Sequence, residues 1–128
     1  MNNTFDKTSS SNPSGQGPIT IHNPDELKSV ILDDRRPLLM ACMLKNEIYH
    51  EQMAIVEEAV EQFENMLGAF VISKELMGCF CETFSVKGTP TFLFFNKGEE
   101  MDRILGCISR ESLMEFITRN LETINRIT

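Results

Sequence analysis

Four cysteines are the side chains in this sequence best able to do covalent chemistry, and their spacing decides of what kind. Cys42, Cys79, Cys81 and Cys107 include no Cys-x-x-Cys, so neither a dithiol redox motif nor a paired metal knuckle is present. His22 and His50 lie far apart in the chain, and no zinc site or other cofactor is expected. Cys79 and Cys81 form a Cys-x-Cys, which suggests a strained disulfide. Side chains two apart on a helix point to nearly opposite faces, however, so two free thiols, one packed and one partly exposed, are expected instead. Cys42 falls in the most apolar stretch of the chain and should belong to the core. His50, flanked by Glu47, Tyr49 and Glu51, has the make-up of a general base. Acids gather at a helix start for electrostatic reasons alone, and a solvated first-turn cluster accounts for it more simply.

These residues need a scaffold. The chain has 128 residues, 41% of them apolar, which suffices for one buried core and the usual size of one domain. Residues 1–17 are dominated by Ser, Asn, Thr, Gly and Pro, with only Met1 and Phe5 to bury; a disordered tail is expected there and a folded domain over 18–128. Ile19 and Ile21 flank Thr20 in strand alternation. Asn23-Pro24-Asp25-Glu26 then reads as a helix cap with proline and acids in the first turn, and Leu27, Val30 and Ile31 make the buried stripe.

The run Leu38 to Leu44 is apolar on both alternating faces, as a central strand covered on both sides requires. From about Glu47 to Leu67, Met53, Val56, Val60, Phe63 and Leu67 recur at helical spacing among glutamates. Ala69 to Ile72 predicts a short buried strand, and Glu75 to Phe84 a short helix despite Gly78. Pro90 introduces a Phe-rich strand, Asn96-Lys97-Gly98-Glu99 a tight turn, and Met101, Arg103 and Leu105 an alternating strand at or near an edge. Ser109 caps a last helix with Leu113, Phe116, Ile117 and Leu121 on one stripe. The order βαβαβαββα predicts an α/β fold: parallel crossovers plus an antiparallel strand from the closing hairpin, a mixed sheet sandwiched by helices.

A net charge of −7 repels phosphate backbones and anionic lipid surfaces, so neither nucleic acid nor membrane is an expected partner. The longest apolar run, Pro37 to Leu44, is too short to span a bilayer, and no basic region followed by an apolar segment opens the chain. A cytoplasmic protein is expected.

The element order, with Val86-Lys87-Gly88-Thr89-Pro90-Thr91 leading into Phe92-Leu93-Phe94-Phe95 and the Asn96-Lys97-Gly98-Glu99 turn, resembles thioredoxin over about residues 18–121. Leu105-Gly106-Cys107 before the Ser-capped helix is similar to that family's last strand and helix. The resemblance implies a thioredoxin-like fold with a cis peptide bond between Thr89 and Pro90. It also implies a groove beside that proline where an extended peptide lies against the backbone of Thr89, with Gly106 and Cys107 on the rim. Where the family carries Trp-Cys-x-x-Cys-Lys, this chain has Lys45-Asn46-Glu47-Ile48-Tyr49-His50, and the family's buried acid falls at Ala41. Neither position of the redox pair holds a thiol.

The expectation is a redox-inert thioredoxin-like protein, acting as a protein-binding or chaperone-like module. Its contact surface would be Thr89, Pro90, Gly106, Cys107, Asn46, Glu47 and Tyr49, and its partner a protein or extended peptide. No catalytic residue is assigned. The alternative is an atypical thiol–disulfide oxidoreductase using Cys107 or the Cys79/Cys81 pair, and a third reading is a regulatory subunit that dimerises through its edge strand.

Overall fold

A computed structural model describes residues 17–127. Of the expected tail, residues 1–17, all but Gly17 lie outside the described residues. The elements follow in the order β1 (Ile19–Ile21), α1 (Pro24–Asp33), β2 (Leu38–Cys42), α2 (Tyr49–Gln62), β3 (Gly68–Ile72), α3 (Lys74–Phe84), β4 (Thr91–Asn96), β5 (Glu99–Leu105) and α4 (Arg110–Ile127).

Local chemistry explains most of these boundaries. Asn23 accepts a hydrogen bond from the Glu26 N–H at 2.8 Å, opening α1. Ser73 does the same for the Leu76 N–H at 3.2 Å, and Ser109 for the Ser112 N–H at 3.1 Å, opening α3 and α4. Ser85, in the left-handed region, closes α3. The β4–β5 turn uses Lys97 and Gly98, both at positive φ.

The strands order β1-β3-β2-β4-β5. β1 and β2 both run parallel to β3, and β4 runs antiparallel to both β2 and β5. The antiparallel half thus begins one strand earlier than the hairpin alone predicts. The chain enters β4 at the end of the sheet where β2 finishes, with Thr91 opposite Cys42.

Alternation along the central strands divides the core in two. Leu38, Met40 and Cys42 of β2 join Leu93 and Phe95 of β4 under α1 and α3. Leu39, Ala41 and Met43 join Phe92 and Phe94 under α2 and α4. Both layers are apolar, as a doubly covered sheet demands.

Two expected elements are shorter than their hydrophobic patterns. The helix foreseen over Glu47–Leu67 spans Tyr49–Gln62. Past it the chain turns through Asn65 at φ 72°, and Leu67 is buried from extended backbone, whose next residue, Gly68, donates to the Pro37 carbonyl at 2.9 Å. Pairing of β2 stops at Cys42, and Leu44 is 49% exposed instead of buried. Apolar spacing registers core contact, which turns can make as well as helices. Among the described residues no helix is long and apolar enough to cross a membrane.

Candidate functional site

The start of α2 and the entry to β4 meet at one end of the sheet. α2 begins without a side-chain cap on Ile48. Asn46 supplies the turn instead: its side-chain oxygen accepts from the Ile48 N–H at 3.1 Å and its carbonyl from the Tyr49 N–H at 3.1 Å. Lys45 places its ammonium 5.7 Å from the Tyr49 ring centroid, and His50 meets the same ring edge-on at 5.8 Å between centroids. No cysteine occupies positions 45–50, so the positive dipole end of this helix has no thiol of its own to activate.

Opposite it stands the Thr89–Pro90 peptide bond, which is cis. Pro90 is buried and Thr89 half-buried. The Gly106 N–H donates to the Pro90 carbonyl at 2.8 Å, and Gly106 has φ +95°. The backbone of Thr89 has no hydrogen-bond partner among the described residues. On one side of it the chain leaving β2 exposes Leu44. On the other β5 exposes Leu105, 58% accessible and paired in register with Thr91.

Asn46, Tyr49, Thr89 and Pro90 line a single shallow depression with Met43, Leu44, Ile48 and Gln52. Gly106 joins it through the Pro90 carbonyl, and exposed Cys107 follows in the same loop. Glu47 is exposed but does not line the depression. A wider cleft of about 710 Å³ continues past Leu44, Asn46 and Tyr49 to the ends of β1 and β3, where it is bordered by His22, Lys74 and Met77. Crevices at the carboxyl ends of parallel strands are the usual place for ligands in open α/β sheets.

Gln52 is the residue of this site that the sequence reading missed. It is 3% exposed, yet its amide donates to the Ile108 carbonyl and accepts from the Ile108 N–H, both at 3.1 Å. That pair of bonds ties the Gly106–Cys107 loop to α2. A polar residue on the stripe that Val56 and Ala59 continue was the available signal.

The other candidate thiols lie apart from this groove. Helix α3 runs unbroken through Cys79 and Cys81, and both thiols are free. Cys79 is exposed, with its sulfur 4.0 Å from the Thr83 hydroxyl, whereas Cys81 packs inward. Two positions along a helix turn one side chain out and the next in, so the Cys79/Cys81 disulfide is not formed.

No family model matches the chain, and no curated protein matches it. Solved structures do. A thioredoxin variant from Halobacterium salinarum NRC-1 is 20% identical, over 83% of this chain and 92% of that one, with a TM-score of 0.70. The Malassezia sympodialis thioredoxin is 17% identical over 87% and 97% of the two chains, with a TM-score of 0.71. A chain from a structure on thiol resolution in yeast mitochondrial 1-Cys peroxiredoxin via glutathione/thioredoxin systems is 13% identical over 84% and 99%, with a TM-score of 0.70. The chain has a thioredoxin-like α/β fold.

Proposed function

We propose that this chain binds an extended segment of a partner protein in the groove beside Pro90, without thiol–disulfide exchange at the start of α2. The observation that carries the reading is the unpartnered backbone of Thr89, set between exposed Leu44 and exposed Leu105. An extended peptide added there gains affinity from main-chain hydrogen bonds and selectivity from the apolar side chains around it. Two of the solved structures similar in fold are thioredoxins by name; by the resemblance to that family, Asn46 to Tyr49 stand where its redox cysteines would be and Ala41 where its buried acid would be. A chaperone-like or assembly role follows from binding of this kind. The net charge of −7 favours a neutral or basic segment and disfavours nucleic acid and anionic lipid. Few cysteines, all free, suit a reducing cytoplasmic setting.

One observation favours a second reading. Cys107 is exposed and directly follows Gly106, whose N–H is bonded to the Pro90 carbonyl. Attack of the Cys107 thiolate on a disulfide of a bound partner, forming a mixed disulfide and releasing the partner's other sulfur as a thiol, would then make the chain an atypical oxidoreductase.

Linear peptides selected from a displayed library on the folded protein, then titrated into 15N-labelled protein, test the first reading. Amide shifts are expected at Leu44, Thr89, Leu105 and Gly106. Leu44→Asp and Leu105→Asp should each weaken binding about tenfold or more, the worth of a buried leucine contact. Shifts confined to another surface, or unchanged affinity in both variants, would sink it. Robust disulfide reduction that disappears in Cys107→Ser would instead establish the second.

A further inference from the structure

One pair of thiols belongs to neither reading. Cys42 ends β2 with its side chain on the α1/α3 face, fully buried. Above it, Met77 and Cys81 lie one helical turn apart on α3, so both their sulfurs face the same strand. The Cys42 sulfur is 3.0 Å from the Met77 sulfur and 3.7 Å from the Cys81 sulfur. Of the four free cysteines these are the two whose sulfurs touch. The two sites differ in access: Cys81 is half-buried at the edge of the layer, while Cys42 lies beneath it.

From this geometry we propose that Cys42 and Cys81 are an oxidisable pair, which a peroxide converts into an intrachain disulfide joining β2 to α3. The accessible sulfur reacts first. The Cys81 thiolate attacks one peroxide oxygen; a sulfur–oxygen bond forms, the oxygen–oxygen bond breaks, and the departing hydroxide takes up a proton as water. Cys42 then attacks the Cys81 sulfenic sulfur, forming the sulfur–sulfur bond and breaking the sulfur–oxygen bond. The Cys42 proton leaves with that oxygen as a second water. Two electrons pass from the sulfurs to one peroxide, and both oxygen atoms end as water.

The order of events has a physical basis. Burial, and then the neighbouring Cys81, push the Cys42 thiol up to about 12, so it is a poor first nucleophile and waits for an activated partner. To form a bond of about 2.05 Å the two sulfurs, 3.7 Å apart, must approach by less than about 2 Å. The bond would fasten α3 to the strand position directly opposite Thr91, beside the groove. In a reducing compartment it would be reversed by thiol exchange through the same accessible Cys81 sulfur.

The test uses the full chain carrying Cys79→Ser and Cys107→Ser, two exposed positions whose replacement leaves the core intact. After exposure to hydrogen peroxide, the protein is denatured, alkylated and weighed. Expected are the loss of two hydrogen atoms in mass, a fall in alkylatable thiols from two to none, and a cross-linked peptide pair containing Cys42 and Cys81. The oxidised form should melt roughly 5–15 °C higher, and a reductant should restore both thiols. In a variant also carrying Cys42→Ala, Cys81 should stop at the sulfenic stage and be trapped by dimedone. Overoxidation of Cys81 to sulfinic acid while Cys42 remains alkylatable, or no reaction at either sulfur, would overturn the proposal.

Discussion

Asp102 shows how a single residue can hold two elements together. Its carboxylate accepts from Arg119 at 3.1 Å, from the buried Asn120 amide at 3.1 Å and from the Arg103 N–H at 2.9 Å. Burial alone pushes this carboxyl up, but the bonds from Arg119, Asn120 and Arg103 outweigh it and hold the group below its ordinary value. A carboxylate so depressed stabilises the fold above its unfolded pKa, near 4, and loses that contribution as pH falls through the folded value. Asp102→Asn should therefore cost about 1 kcal/mol at neutral pH, since the site is partly solvated. The difference in Tm between variant and wild type should begin to narrow below about pH 4 and close only below the depressed folded value, where the wild type is neutral as well. A gap that persists into acid would show that packing, not charge, sets the effect. Cys81 and Cys79 make the same point about position: two residues apart in sequence, they differ in chemistry because the helix turns one of them toward Cys42.

Among the elements, the loop between β5 and α4 carries the site. Gly106 adopts φ +95°, and a Cβ built on it would meet nothing within 4 Å. The cost of adding one is thus conformational and not a clash. Gly106→Ala should destabilise by about 1–2 kcal/mol in urea denaturation, and it should weaken peptide binding if relief of the strain breaks the bond to the Pro90 carbonyl. An unchanged denaturation midpoint would mean that the loop is free to relax. Much of this neighbourhood was legible in advance: Gly-Thr-Pro-Thr before a Phe-rich strand and Leu-Gly-Cys before a serine-capped helix mark both walls of the groove. The exposure of Leu44 was not, because an apolar run shows no sign of where strand pairing ends. The role of Gln52 was hidden too, since its partner Ile108 is far away in sequence and its amide could equally have met solvent.

For the molecule as a whole, one strand holds both layers of the core. Leu39 and Met40 are adjacent and fully buried, yet one packs under α2 and α4 and the other under α1 and α3. Leu39→Ala and Met40→Ala should each cost about 2–5 kcal/mol, and each should shift the whole transition. Far-UV circular dichroism and hydrogen exchange followed on both faces would check this; a transition split by face would show that the layers unfold separately. The sequence alone determined the order of elements, the helix caps at Asn23 and Ser109, the doubly buried central strand and the absence of a Cys-x-x-Cys, since these depend on local propensity, periodicity and residue identity. Tertiary structure alone decided that β4 runs antiparallel to β2, that Leu44 and Leu105 are left exposed on the two strands neighbouring the entry to β4, and that the sulfurs of Cys42 and Cys81 meet. Those are contacts between segments distant along the chain, and only the packing of helices on a shared sheet brings such segments together.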